Sequence, residues 1–527
     1  MRGTVQILAG LMVMGAAVGA LAQGAATQPV APFEQASFAV PQTPLDALVF
    51  GRLEKLGIAP AWPCSDAVFV RRVYLDVIGT LPTAGEAEGF LRDKSPRKRA
   101  ALIDQLLQRQ EYADYWTMKW ADVLRIKAEF PIKLWPKAAQ AYHAWLHTQL
   151  HENRPYDQWV RQLLVSTGSN FYVPEANFYR AAQNREPPAL AQAVGLTFMG
   201  RRPESWPKDR LADAAVFFSQ ISYKGTGEWK EEIVYLDPAK AATRPSRGTL
   251  PDGTSVAIPP DGDARAVFAD WLMAADNPYF AKAAVNRIWC WLVGRGIVHE
   301  ADDFRPDNPP ANPQLLDYLA REFVEHKYDL KHIQRLILNS RTYQLSSIPR
   351  SKDRRAAANF AHYTMRRLEA EVLVDALCQI TGVPERYNSA VPEPFTYLPR
   401  GTRAICIADG NTTSAVLELF GRPSRDTGLM SERNDTINAA QRLHLLNSSH
   451  VQNKITSSPK LRGLSQWRSD PSQAVRTIYL TVLSRYPTPQ ELEKAAAYGA
   501  ANKLGRSEMV TDTVWALFNS DEFLYRH

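Results

Sequence analysis

Cysteine is scarce in this chain of 527 residues. There are four, Cys64, Cys290, Cys378 and Cys406, and no two stand in a Cys-x-x-Cys pair. The spacing that ligates a metal or attaches haem is therefore absent. There is also no Gly-x-Ser-x-Gly elbow, no His-Glu-x-x-His, no phosphate loop and no dinucleotide fingerprint, so no motif supports nucleophilic or nucleotide chemistry. Beyond the N-terminal segment no stretch reaches about 18 unbroken apolar residues, so the mature chain reads as soluble, without a membrane span. No long basic run occurs either. With 62 Lys and Arg against 55 Asp and Glu, the net charge is +7 and the pI near 9.0. That mild excess does not point to nucleic acid, but it suits anionic partners such as sulfated or uronic-acid glycans. Hydrophobic content of 45% with 22% charged residues is ordinary globular composition.

What is present begins with a leader. Arg2 precedes an apolar run from Val5 to about Leu21, and Ala20-Leu21-Ala22 has small residues where a signal peptidase reads. Residues 1–22 are expected to be a signal peptide cleaved after Ala22, placing the protein in the periplasm or outside the cell. A twin-arginine pair and a lipobox cysteine are missing, and about 505 residues remain after cleavage, enough for two or more domains. Export permits disulfides, and four cysteines allow three full pairings. Cys290 and Cys378, however, sit in apolar helical patterns and read as small buried hydrophobes.

The fold class expected is mainly α. Residues 23–44, rich in Ala, Pro and Gln, read as a linker. A helical domain follows over 45–223, then a short β or loop insertion over 224–262, then a second helical domain over 263–527. Ser95 is expected to cap a helix that starts at Pro96, and other helices are expected over 138–150, 157–164, 189–197 and 210–221. Within the insertion, "EEIVYL" and "TSVAIP" read as strands, with a Pro251-Asp252-Gly253 turn between them. An internal repeat is visible: "VRRVYLDVIGTLPTAGE" from Val70 and "VRTIYLTVLSRYPTPQE" from Val475 share 8 of 17 positions without a gap. Each copy places a Tyr-Leu helix before a Pro-Thr turn and a capping box, Thr83 with Glu86 and Thr488 with Glu491.

Several runs together carry a resemblance. "FVRRVYLDVIGTLPT", "LIDQLLQRQEYADYWTMKWADVLR" and "NRPYDQWVRQLL" resemble the bacterial domain of unknown function numbered fifteen-forty-nine. The run from "DWLMAADNPYF" to "LLDYLAREF", with "LILNSRTYQLSS", "RRLEAEVLVDAL", "FGRPSRD" and "LHLLNSSHVQNK", resembles domain fifteen-fifty-three, its usual C-terminal companion. The resemblance covers roughly residues 45–527 and implies an exported protein of planctomycete-type bacteria, linked by inference to polysaccharide use and without an established activity. It also marks two departures. Relatives carry Cys-x-x-Cys-His after a Phe-Met-Gly-like stretch and Cys-x-Cys-Glu-Arg after Gly-Arg-Pro. Here neither thiol motif is present, and Leu429 and Ser431 stand before Glu432 and Arg433. If the two motifs form one metal site in relatives, Met199 and Leu429 should lie close together, and no cofactor is expected in this chain.

Three groups of residues are candidates for function. His143, His147 and His151 recur at intervals of four on one helix. The outer two are about 12 Å apart along the axis, so the three cannot share one ion. Their position relative to Tyr142 places them on a flank facing water, with a site at His143 and His147 as the lesser reading. The second group is the loop "GRGIVHEADDFRPDNPP", in which His299, Glu300, Asp302, Asp303 and Asp307 crowd together. Such carboxylates bind a cation, serve as an acid/base pair, or hold a turn. Asp302, Asp303 and Arg305, with Glu432 and Arg433, are the catalytic candidates. The third group is Arg287, Arg295, Arg341, Arg422, Arg425 and Arg433, whose planar forks grip either an anionic ligand or buried carboxylates. Arg287, Arg295, Arg422 and Arg425 are the ligand-binding candidates. The 13 tryptophans can stack on sugars, but beside Leu and Val at helical spacing they read as core. The leading expectation is a non-catalytic binding or scaffold protein of the envelope, with anionic polysaccharide or another envelope protein as partner. The alternative is a glycan-processing or redox enzyme with its site at the Asp302–Asp307 and Arg422–Arg433 loops.

Overall fold

A computed structural model describes residues 28–37, 40–129, 131–132, 134–466 and 471–527. The expected leader and its cleavage site lie outside them. Helices dominate, and the strands form only small antiparallel pairs and one three-stranded sheet. Among the described residues no helix is long and apolar enough to cross a membrane.

Local sequence accounts for most helix boundaries. Pro44–Leu56 starts on a Thr43–Asp46 capping box and ends on Gly57 at φ 68, where the absence of a Cβ removes the left-handed penalty. Thr83 with Glu86 and Thr488 with Glu491 form the two reciprocal boxes expected of the repeat. The helix expected from Pro96 instead runs Lys98–Gln108, with Ser95 three residues before it, bonded to Asp93 and Arg97 in a local turn. The helix expected over 210–221 stops at Ala215; a 3-10 turn Val216–Phe218 follows, and Ile221 opens a strand.

The sheet regions differ in partnering from the simple insertion expected. Glu232–Leu236 pairs with Ile221–Gly225 on one side and Gly168–Ser169 on the other. Ser255–Ala257 pairs with Arg247–Thr249, so the Pro251-Asp252-Gly253 turn closes that second hairpin rather than joining the two expected strands. The reason is loop length: the turn brings together only its own flanks.

Apolar side chains from Leu45 to Leu524 pack as one contiguous cluster, so both helical segments contribute to a shared core. Pro44–Leu56 packs on Pro313–Glu325, and the C-terminal strand Tyr525–Arg526 pairs with Arg366–Arg367. Residues 28–37, within the stretch read as a linker, are held down where Gln35 N–H donates to Pro63 and Ser65 N–H to Phe33. All four cysteines are free thiols; Cys64 is buried and the others half-buried.

The repeat is structural. In the first copy Arg109 bridges Glu86 and Glu111 and lies over the Tyr74 ring. In the second, Arg485 bridges Glu491 and Glu522 and lies over the Tyr479 ring. The tyrosines and capping glutamates occupy equivalent repeat positions, whereas each arginine comes from a different place in its copy.

Candidate functional site

The two loops picked out for charge do meet. Asp302 is fully buried; one carboxylate oxygen accepts from Met430 N–H at 2.9 Å and the other lies 3.4 Å from Arg202 Nη2. Phe304 N–H donates to the Gly200 carbonyl at 2.8 Å. The stretches around Met199 and Leu429 thus converge on one carboxylate, as a site shared between them requires. The side chains they bring, Arg201, Arg202, Leu429, Met430 and Ser431, are not a metal-ligating or haem-attaching set. The rest of the acidic loop is tied to arginine. Asp303, nearly buried, and exposed Asp307 flank Arg305 at 3.2 and 3.6 Å, while exposed Glu300 holds Arg202 at 2.6 Å. His299 is exposed at its edge.

Glu432 and the arginines organise backbone. Glu432 accepts from Asp426 N–H at 2.8 Å, Thr427 N–H at 3.2 Å and the Ser424 and Thr427 hydroxyls, closing its own loop. Arg433 grips Glu371 through Nη1 at 2.6 Å and Asp122 through Nη2 at 2.8 Å. Arg425 reaches the other Asp122 oxygen at 2.9 Å, and Arg422 lies 3.4 Å from Glu371. Burial works to raise the Glu371 carboxyl, but Arg433, bonded to it, and Arg422 outweigh that and hold it at about 2. Burial pushes the Arg422 guanidinium down to about 10, with Arg425 adding to the effect. A Cβ on Gly428, at φ +78, would lie 2.8 Å from the Val123 carbonyl, so the loop rests directly on the end of the Gln110–Val123 helix. Arg287 is buried and donates to the Thr197 and Leu196 carbonyls. Arg341 presents its backbone N–H to Asp46 at 3.0 Å, and Arg295 is half-buried.

This seam continues through residues that sequence reasoning missed. Asp76 is fully buried and accepts from Arg366 at 2.8 Å, Arg526 at 2.9 Å and the Tyr343 and Tyr363 hydroxyls at 2.9 Å each. Glu369 pairs with Lys119 and Arg526. The available signal was an acid among apolar residues, single in "VYLDVIG" and paired with Glu371 in "RRLEAEVL". Such a residue is buried only with partners.

The histidine flank faces water only in part. His143 is half-buried with its Nε2 out of solvent, and burial, with Arg425 and His147 nearby, pushes its pKa down to about 3. His147 Nε2 lies 3.0 Å from Asp114 on the Gln110–Val123 helix, while His151 is exposed and stacks on His147 at 6.1 Å. The helical wheel registered one buried side, but Pro136–His151 packs against Gln110–Val123 on one flank and the Pro174–Ala176 turn on another.

An exposed aromatic cluster is the other missed feature. Trp229 sits in the turn between the Ile221–Gly225 and Glu232–Leu236 strands and is 63% exposed. Its ring meets Trp135, which precedes the Pro136–His151 helix, at 4.5 Å and Phe395 at 5.9 Å; Trp135 and Phe395 are 5.3 Å apart. Exposed Tyr397 lies two residues beyond Phe395 in the chain. Lys230 Nζ lies 5.2 Å from the Trp135 ring and 5.7 Å from Trp229. Lys137 Nζ lies 5.0 Å from exposed Tyr172. The lysines face Glu129 at 3.9 Å and Glu228 at 3.4 Å, half-exposed pairs that bind weakly. The sequence signal was position: Trp229 follows "GTGE" and Phe395 lies in "VPEPFTYLP", turn contexts rather than helical ones.

Helices sharing one core and a buried ionic seam define a helical class by architecture rather than by reaction. The chain joins two segments that family models match, in the order expected. Residues 44–200 match the family described as Protein of unknown function (DUF1549), and residues 264–499 match Protein of unknown function (DUF1553). Both small hairpins lie in the stretch between the two matches. No curated protein and no solved structure matches the chain.

Proposed function

We propose that this protein is an exported, non-catalytic polysaccharide-binding protein of the cell envelope, and that the Trp135–Trp229–Phe395 cluster is its contact surface. The observation that carries this reading is the exposure of Trp229 within a cluster drawn from three distant segments. A tryptophan left in water costs apolar surface that folding would otherwise bury, and an aromatic face stacks on the C–H face of a sugar ring. Lys137 and Lys230 supply cations at its edge, and the net charge of +7 favours an anionic chain. The enzyme alternative draws on loops that do come together, but the carboxylates of Asp302, Glu371 and Asp122 are already occupied by protein donors.

The test is affinity electrophoresis of the mature protein through gels holding a sulfated glycan, a uronic-acid glycan or a neutral one. Retardation by the anionic gels that weakens with salt is the expected result. Retardation by the neutral gel alone would remove the anionic specificity, and free migration in all three would refute the reading.

A further inference from the structure

We infer that Glu322, His326 and His332 form a divalent transition-metal site at the corner between two helices, separate from the aromatic surface. Glu322 lies in the last turn of Pro313–Glu325, and His326, four residues on, caps that helix. Lys327 and Tyr328 then turn the chain sharply, at φ 54 and 57. Asp329 caps the next helix, Leu330–Asn339, by accepting the His332 N–H at 3.0 Å. Tyr328 is buried, and its hydroxyl donates to the Met273 carbonyl at 3.2 Å. The corner is therefore fixed by packing, and it delivers three ligand-type side chains to one spot.

Glu322 Oε2 is 3.5 Å from His326 Nδ1 and 3.4 Å from His332 Nε2, and the three ligand atoms all lie within 4.8 Å of one another. These separations are long for charge-assisted hydrogen bonds. The two distances from Glu322 match the edge of a tetrahedron: ligands about 2.0 Å from a zinc ion are roughly 3.3 Å apart. The two imidazoles stack at 3.6 Å, 12° from parallel. Their planes must splay for the lone pairs to converge, and side-chain exposures of 46% and 25% leave room for that. His326 Nδ1 also sits 2.9 Å from the Glu322 carbonyl, so binding exchanges that contact for the ion and leaves the ring proton on Nε2. Two nitrogens and one carboxylate oxygen suit Zn²⁺ or Co²⁺, with the fourth position taken by water. The ion would staple the two helices across the corner.

The test uses the full mature chain without a histidine tag, titrated with Zn²⁺ by calorimetry and with Co²⁺ by absorbance. One equivalent is expected, with the intense visible bands of tetrahedral Co²⁺. E322Q and H332A should both lose that step while keeping the metal-free melting temperature, and H147A should retain it. No stoichiometric binding, a weak octahedral Co²⁺ spectrum, or binding that survives E322Q and H332A would overturn the assignment, the last two identifying an adventitious ion only.

Discussion

The loop from Arg422 to Arg433 and the surface around Trp229 both gather residues from distant parts of the chain, and they use them oppositely. In the loop the arginines are spent on the protein: Arg433 bridges Asp122 and Glu371, Arg425 shares Asp122, and Arg422 faces Glu371. Around Trp229 the aromatic faces touch one another but remain 63% and 44% exposed at Trp229 and Phe395. Charge density, which drew attention to the loop in the sequence, marks the part of the molecule with least to offer a ligand. A conspicuous residue is evidence of function only if its interactions are left open.

A large effect should come from breaking the seam. Arg433→Ala removes the arginine shared by buried Glu371 and half-buried Asp122, leaving each with one remaining arginine, and is expected to cost about 3 kcal/mol in denaturant unfolding. Glycan retardation of the remaining folded protein should be unchanged. A loss under about 1 kcal/mol would mean that the loop is not structural in this sense.

The repeat supplies an internal control on burial. Arg485 is 6% exposed and bridges two carboxylates, whereas Arg109 makes the same bridge at 27%. Arg485→Ala should therefore cost about 3 kcal/mol and Arg109→Ala about 1 kcal/mol, measured by the same unfolding curves. Equal losses would show that the arrangement, not its burial, sets the energy.

A smaller effect is expected with pH. Glu371 is held at about 2 against an ordinary 4.5. The unfolded chain therefore binds more protons between these values, so this contribution is complete above about pH 4.5 and fades as the pH falls toward 2. The melting-temperature gap between the wild type and Arg433→Ala should narrow from about pH 6 to about pH 3. A constant gap would contradict the assignment of the shift to Arg433.

What was legible in the sequence follows the range of the interactions. Thr83 and Glu86 satisfy each other three residues apart, and Thr488 and Glu491 do the same, so periodicity and cap residues revealed both boxes. The Asp302 loop and the Met430 loop were each visible, but their contact spans 128 residues. Arg526 and Asp76 are 450 residues apart, and nothing local in either segment names the other. His143 was misplaced for a related reason: the wheel of its own helix does not show that a second helix covers the flank. Trp229 was passed over because tryptophan is usually core, and only the partnering of the two strands around it puts it at a turn in solvent.

The most direct test of the binding surface is the double variant Trp229→Ala, Phe395→Ala in affinity electrophoresis on a sulfated glycan, with its melting curve taken alongside. The account predicts at least about a tenfold weaker retardation, or about 1.4 kcal/mol of binding, with unfolding stability within about 0.5 kcal/mol of the wild type. Unchanged retardation at unchanged stability would contradict it.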